Sequence, residues 1–168
     1  PLQRGITQKD VQMIFQDPYS SLNPRKKIKT ILEQPLKIHT KMNKKERLET
    51  MLSLCDDVGI DYTYLERYPH QFSGGMRQRV VISLALCCEP ELLIADEPTT
   101  ALDVSIQSQI LDLIKRLTKE RNLAVILITH DMGVIAETVD RGAVMKNGNL
   151  VEIGETKEIL TKPKETYT

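Results

Sequence analysis

No run of apolar residues in this 168-residue chain approaches the roughly 20 that a helix needs to span a bilayer. The opening Pro1-Leu2-Gln3-Arg4-Gly5 also lacks the charged, apolar and small-residue order of a secretion signal. Neither a membrane span nor an export leader is therefore expected. Net charge is missing too: 23 Lys and Arg face 23 Asp and Glu, so no global field favours nucleic acid or an anionic membrane. Cysteine is scarce and odd in number. Cys55, Cys87 and Cys88 have no metal-ligand spacing and lie among apolar neighbours, the usual setting of reduced core thiols, which points to a cytosolic environment. Internal repeats and low-complexity tracts are absent. What is present, 40% hydrophobic and 27% charged residues, suits one soluble globular domain or part of one. The first residue is not Met and a strand pattern follows almost at once, as expected of a piece of a longer protein.

Local patterning then assigns elements. Val11, Met13 and Phe15 alternate with polar or smaller neighbours and predict a short strand ending at Gln16, cut by Asp17-Pro18. After a loop from Tyr19 to Pro24 the period becomes helical. Ile28, Ile31, Leu32 and Leu36 mark one helix face, and Leu48, Met51, Leu52, Cys55 and Val58 mark another. Asn43 followed by Glu46 is a capping-box pattern, and Gly59 stands where a left-handed residue ends a helix. Past Glu89-Pro90 the order becomes strand, helix, strand: Leu92 to Ala95, then a face of Ile106, Ile110, Ile114 and Leu117, then Ala124 to Ile128. That order predicts a parallel α/β sheet. Met132, Ile135, Ala136 and Val139 predict a further helix, and Asn147-Gly148 between apolar runs predicts a hairpin.

In parallel α/β sheets ligands bind beyond the carboxyl ends of the strands. The three apolar runs end in Gln16, in Asp96-Glu97 and in Thr129-His130. Phosphoryl transfer with Mg²⁺ needs a carboxylate at the metal, a group that orients or deprotonates water, and a donor for the transferred phosphate, and Asp96, Glu97 and His130 match those needs in turn. Alone, each reads more readily as an ordinary strand end than as a catalytic group. Ser73-Gly74-Gly75 adds weight because it opens an uninterrupted helix candidate, Met76 to Cys88. Free N–H groups and the positive dipole end attract phosphate there, and Ser73 can cap the helix or bond a phosphate oxygen.

Phe72-Ser73-Gly74-Gly75-Met76-Arg77-Gln78-Arg79 resembles the signature motif of ATP-binding cassette (ABC) ATPases. Leu92 to Pro98 resembles their Walker B strand with its catalytic glutamate, and Ala101-Leu102-Asp103 their D-loop. Gln16 then matches the Q-loop and His130 the switch histidine. The stretch Gln16 to Arg25, and Pro163 to Thr168, are similar to the oligopeptide, dipeptide and nickel importer branch. The resemblance implies a partial P-loop NTPase fold, a RecA-like α/β parallel sheet with an inserted α-helical subdomain. Residues 1–17 would end the N-terminal part of the core, 18–90 form the insert, and 91–168 complete the core and begin a C-terminal extension.

The resemblance also implies roles. Glu97, His130 and Gln16 would be catalytic, with Asp96 and Gln16 near Mg²⁺. Ser73, Gly74, Gly75, Met76 and Gln78 would serve ATP held by a second ATPase subunit in a head-to-tail dimer, with Ala101, Leu102 and Asp103 as the D-loop. Membrane permease subunits would dock on the insert, placing the chain peripherally on the cytoplasmic face of the membrane. From Arg25 to Arg47, nine Lys or Arg stand against two Glu, a local bias for permease, inner leaflet or solvent. One family element has no counterpart: none of the eight glycines is followed by Lys, so no Walker A loop can be drawn. The expected function is ATP hydrolysis driving uptake of a peptide or similar solute. The alternative is a non-catalytic remnant that only binds permease or a partner cassette. A DNA-repair ATPase would need a long coiled-coil insert, which this sequence lacks.

Overall fold

A computed structural model of the chain describes residues 9–168. The first eight residues of the segment expected to end the N-terminal core lie outside the described residues. The chain divides into two compact units, the first ending at Ile128 and the second running Thr129–Thr168.

The first unit is built on three parallel strands, β1 (Val11–Ile14), β2 (Leu92–Asp96) and β3 (Ala124–Ile128), in the order β1-β2-β3. Register pairs Ile14 with Ala95 and Asp96 with Ile128, so all three carboxyl ends lie along one edge. Strand β1 stops two residues before Gln16 rather than at it, because Asp17 already caps the short helix α1 (Pro18–Ser21) through a 2.8 Å bond from Tyr19 N–H. Between β1 and β2 come α2 (Ile28–His39), α3 (Lys44–Val58), two 3-10 turns (Tyr62–Glu66 and Pro69–Gln71) and α4 (Gly74–Leu86). Helix α5 (Val104–Glu120) links β2 to β3.

The helices form where local chemistry starts and stops them. Asn43 Oδ1 accepts from Lys45 and Glu46 N–H while the Glu46 carboxylate takes the Asn43 N–H, the expected capping box, and Gly59 ends α3 at φ 68°. Ile28, Ile31, Leu32 and Leu36 are buried as the period predicts. On α3 the buried set is Met51, Leu54, Cys55 and Val58, whereas Leu48 and Leu52 stay exposed. Helix α4 is buried nearly all round and begins at Gly74, two residues before the expected Met76. Of the nine cations between Arg25 and Arg47, five are ion-paired: Lys27 and Lys29 with Glu66, Lys37 and Arg47 with Glu33, Lys45 with Glu49. Three carboxylates thereby offset part of the local positive bias.

The second unit holds α6 (Met132–Thr138), the antiparallel pair β4 (Arg141–Lys146) and β5 (Asn149–Glu155), and α7 (Thr156–Thr161). Asn147 and Gly148 turn the hairpin at φ 51° and 79°, the doubly left-handed conformation that Asn-Gly favours. Glu152 on β5 accepts from the N–H groups of Lys164 and Glu165 at 3.0 and 3.3 Å, and the Lys164 bond holds its carboxyl below the usual range. Among the described residues no helix is long and apolar enough to cross a membrane.

Candidate functional site

The parallel register brings Gln16 and Glu97 together although 81 positions separate them. Gln16 Nε2 donates to Glu97 Oε2 at 3.0 Å, and Thr100 Oγ1 donates to the same oxygen at 2.8 Å. The backbone fixes the glutamate as firmly. Glu97 N–H bonds Ile128 O at 2.9 Å, extending the β2–β3 ladder by one residue, and the chain then leaves the strand with Glu97 at φ 45°. A non-glycine residue in that region costs on the order of 1 kcal/mol or more, and such strain collects at functional sites. Here it turns the Glu97 carboxylate away from the ladder and toward Gln16. Asp96, the last residue of β2, is half-buried and lies on the strand face opposite the fully buried Ala95.

Thr100 was invisible to patterning, since a threonine outside a strand carries no periodic signal. Its cue is the spacing: three residues after Glu97, it sits where a turn closes, and Thr100 N–H meets Glu97 O at 3.3 Å. Leu102 N–H bonds Thr99 O at 3.0 Å, and Gln107 Nε2 reaches back to Leu102 O at 3.2 Å. These bonds shape the segment Ala101-Leu102-Asp103, with Asp103 at the N-cap of α5.

Ser73 caps α4, its hydroxyl accepting from Met76 N–H at 3.3 Å. The glycines behind it have a packing reason beyond backbone approach to a ligand. A Cβ on Gly74 would lie 3.1 Å from Leu102 Cδ2, and one on Gly75 would lie 2.6 Å from Ile106 Cγ2. The start of α4 therefore rests directly on the loop and first turn leading into α5. Met76 packs partly buried against the core, and Arg77 lies 4.0 Å over the Tyr19 ring while donating to Pro69 O at 2.8 Å. Gln78 corrects an expectation. Predicted to face nucleotide, it is 0% exposed, with both side-chain amide atoms lacking a hydrogen-bond partner among the described residues. Its position on the inner face of α4 follows from helical spacing: Gln78, Val81, Ile82 and Ala85 share one buried stripe.

His130 belongs to the second unit. It stands in the turn where Thr129 Oγ1 accepts from Asp131 N–H at 3.1 Å and Asp131 Oδ1 caps α6 through Gly133 and Val134 N–H. Among the described residues no three His, Cys, Asp or Glu side chains gather as a metal cage. Mg²⁺ does not require one: it is usually held by one or two carboxylates together with waters and substrate phosphates, and Asp96 is a carboxylate at the carboxyl end of β2.

The sequence model of the ABC transporter family matches residues 2–100. The chain belongs to the ABC transporter family. Over 98% of its length it is 53% identical to the dipeptide transport ATP-binding protein DppD of Bacillus subtilis, of which it spans 50%. Against the glutathione import ATP-binding protein GsiA of Escherichia coli K12 the identity is 49% over the same 98%, covering 27% of that protein. The chain thus spans half or less of the length of these relatives. Among solved structures it resembles CbiO1 of Clostridium perfringens, part of the ABC transporter complex CbiONQ, with a TM-score of 0.81 and 28% identity over 92% of this chain and 60% of that one. It also resembles the ATP-binding cassette MJ0796 in a dimeric post-hydrolysis state bound to ADP and Pi, with a TM-score of 0.73 and 29% identity over 88% of this chain and 64% of that one. The α/β cassette fold expected from the motifs is the fold of these ABC neighbours.

Proposed function

We propose that these residues form part of the ATP-hydrolysing subunit of an ABC importer for peptides or a similar small solute. The observation that supports it most directly is the Gln16–Glu97 contact at the carboxyl edge of the parallel sheet, 3.0 Å and held by Thr100. Bound Mg-ATP would supply the γ-phosphoryl group and the charge that neutralises it. With it bound, Glu97 would accept a proton from the attacking water, Gln16, which donates to Glu97, would fix its rotamer and hold that water, and Asp96 with Gln16 would hold the metal. His130 donates toward the transferred phosphoryl group. Ser73, with the backbone N–H groups of Gly74, Gly75 and Met76, serves nucleotide on a partner subunit, and Ala101, Leu102 and Asp103 form the D-loop beside it. Residues 18–90 are the helical subdomain on which permease subunits dock, at the cytoplasmic face of the membrane. The names of the dipeptide and glutathione import relatives support the solute class.

Glu97→Gln keeps the size of the side chain and removes its basicity. In the protein extended by a phosphate-binding loop, turnover should fall about 10²-fold or more, with ATP binding retained. Steady-state phosphate release beside nucleotide titration measures this, and unchanged turnover would remove Glu97 from the mechanism. The 168 residues contain no Gly-Lys pair, so no Walker A loop lies within them. On their own they should leave Asp96 and Glu97 facing the nucleotide's negative charge with little compensation. Phosphate release by the chain alone should stay at background. Steady turnover would show that the loop matters less than this reading holds.

A further inference from the structure

Two of the three cysteines are neighbours at the end of α4. Cys87 closes the helix in the right-handed conformation, φ −63° and ψ −22°. Two residues later Glu89 turns the chain at φ 50°, with its N–H bonded to Leu86 O at 3.0 Å. The backbone is thus pinned on both sides of Cys88, and it sets the two Sγ atoms 3.8 Å apart as free thiols. The pair has an inner and an outer sulfur. Cys87 is buried, its thiol donating to Leu84 O at 3.0 Å, whereas Cys88 is half-buried.

Burial, and then the adjacent Cys88, push the Cys87 thiol far above its ordinary value. It therefore offers little thiolate to a reagent that makes a single bond. A reagent that makes two bonds escapes that limit, because a first bond at Cys88 turns the second into an intramolecular step at high effective concentration. Soft sulfur ligands suit soft acceptors, and trivalent arsenic takes two thiolates on one atom. Sulfurs already in contact need only small rotamer changes to share it. A cavity of about 260 Å³, lined by Leu86, Glu89, Pro90, Arg121 and Leu123, opens at the same turn. Cys55 lacks these features: no second thiol is recorded beside it, and burial pushes it up to about 11.

We propose that Cys87 and Cys88 form a chelating dithiol site for trivalent arsenicals carrying exchangeable oxygen ligands. With an arsenoxide, two S–H bonds break and two As–S bonds form. The oxygen departs with both protons as water, and no electron is transferred. The site lies where α4, whose other end carries Ser73, gives way to the connection into β2, whose far end carries Asp96 and Glu97. It does not depend on the nucleotide chemistry.

The test treats the purified chain with an equimolar amount of phenylarsine oxide and measures intact mass. One phenylarsenic group should replace two thiol hydrogens in each chain. The adduct should survive excess glutathione and be released by 2,3-dimercaptopropanol. Cys88→Ser and Cys87→Ser should each lose the glutathione-resistant adduct, while Cys55→Ser should keep it. If Cys87→Ser does not fold, the half-buried Cys88→Ala variant makes the same decision. No adduct on the wild-type chain, an adduct stripped by glutathione, or a resistant adduct on the Cys88 variants would overturn the proposal.

Discussion

The helices α2 to α4 and the strand β3 belong to the same unit yet are finished to different degrees. In the helical region Ile28, Leu32, Leu36, Val58, Val80 and Ile82 are at most 1% exposed, and every helix there has a buried face. Strand β3 has no buried residue, and Ile126 and Ile128 stand 50% and 46% exposed on one face. Parallel strands are normally covered on both sides. The contrast separates residues that hold this chain together from apolar residues whose burial residues 9–128 do not supply.

Core truncation should break or establish that contrast with the largest effect. Leu32→Ala removes a side chain that is 1% exposed and should cost about 2–5 kcal/mol of stability. Ile126→Ala, on the open face of β3, should cost less than about 1 kcal/mol. Chemical denaturation of both variants against the parent chain measures the difference. Equal losses would mean that β3 is buried in solution by something the described residues do not provide, such as self-association.

A sharper form of the comparison lies where α4 meets α5. Gly75→Ala places a methyl group 2.6 Å from Ile106 Cγ2, and relief of that overlap should cost about 1–3 kcal/mol. In an Ile106→Ala background the cost should shrink, because the clashing methyl is gone and the two changes couple. A double-mutant cycle followed by thermal denaturation measures it. An additive result would indicate that α4 shifts freely and that the glycine serves only ligand approach.

How far the sequence revealed these features depends on whether a local pattern or a distant partner decides them. The capping box at Asn43, the left-handed Gly59 and the Asn147-Gly148 hairpin were legible because each needs only a few neighbouring residues. The β2–β3 pairing, and the meeting of Gln16 with Glu97, were legible because parallel strands align their carboxyl ends. The buried face of α3 was only half legible. Leu48, Met51, Leu52 and Cys55 make as good a stripe as Met51, Leu54, Cys55 and Val58, and the packing of α3 against α2 and α4 selects the second. Gln78 misled for a similar reason: its motif points to nucleotide, but its place on the α4 wheel faces the core. The pairing of Lys27 and Lys29 was hidden because Glu66 lies far from both in sequence, whereas Lys37 with Glu33 and Lys45 with Glu49 stand one helical turn apart.

The smallest effect concerns one of those pairs. Glu33 on α2 lies 2.9 Å from Lys37 Nζ and 3.1 Å from Arg47 Nε on α3, and Arg47 also donates to Met42 O at 2.6 Å. Lys37, and then Arg47 against the opposing effect of burial, hold the Glu33 carboxyl below its usual range. A depressed folded value means that the unfolded chain takes up the proton first as pH falls. The contribution is therefore fully present above the ordinary glutamate range and disappears as pH drops through the lowered folded value. Glu33→Gln should cost about 1 kcal/mol or less at neutral pH, since Lys37 is mostly in solvent. In acid, below the folded value, parent and variant should converge. Denaturant midpoints of both proteins at neutral pH and in acid decide this, and a gap that persists in acid would assign the loss to packing between α2 and α3 rather than to the charge.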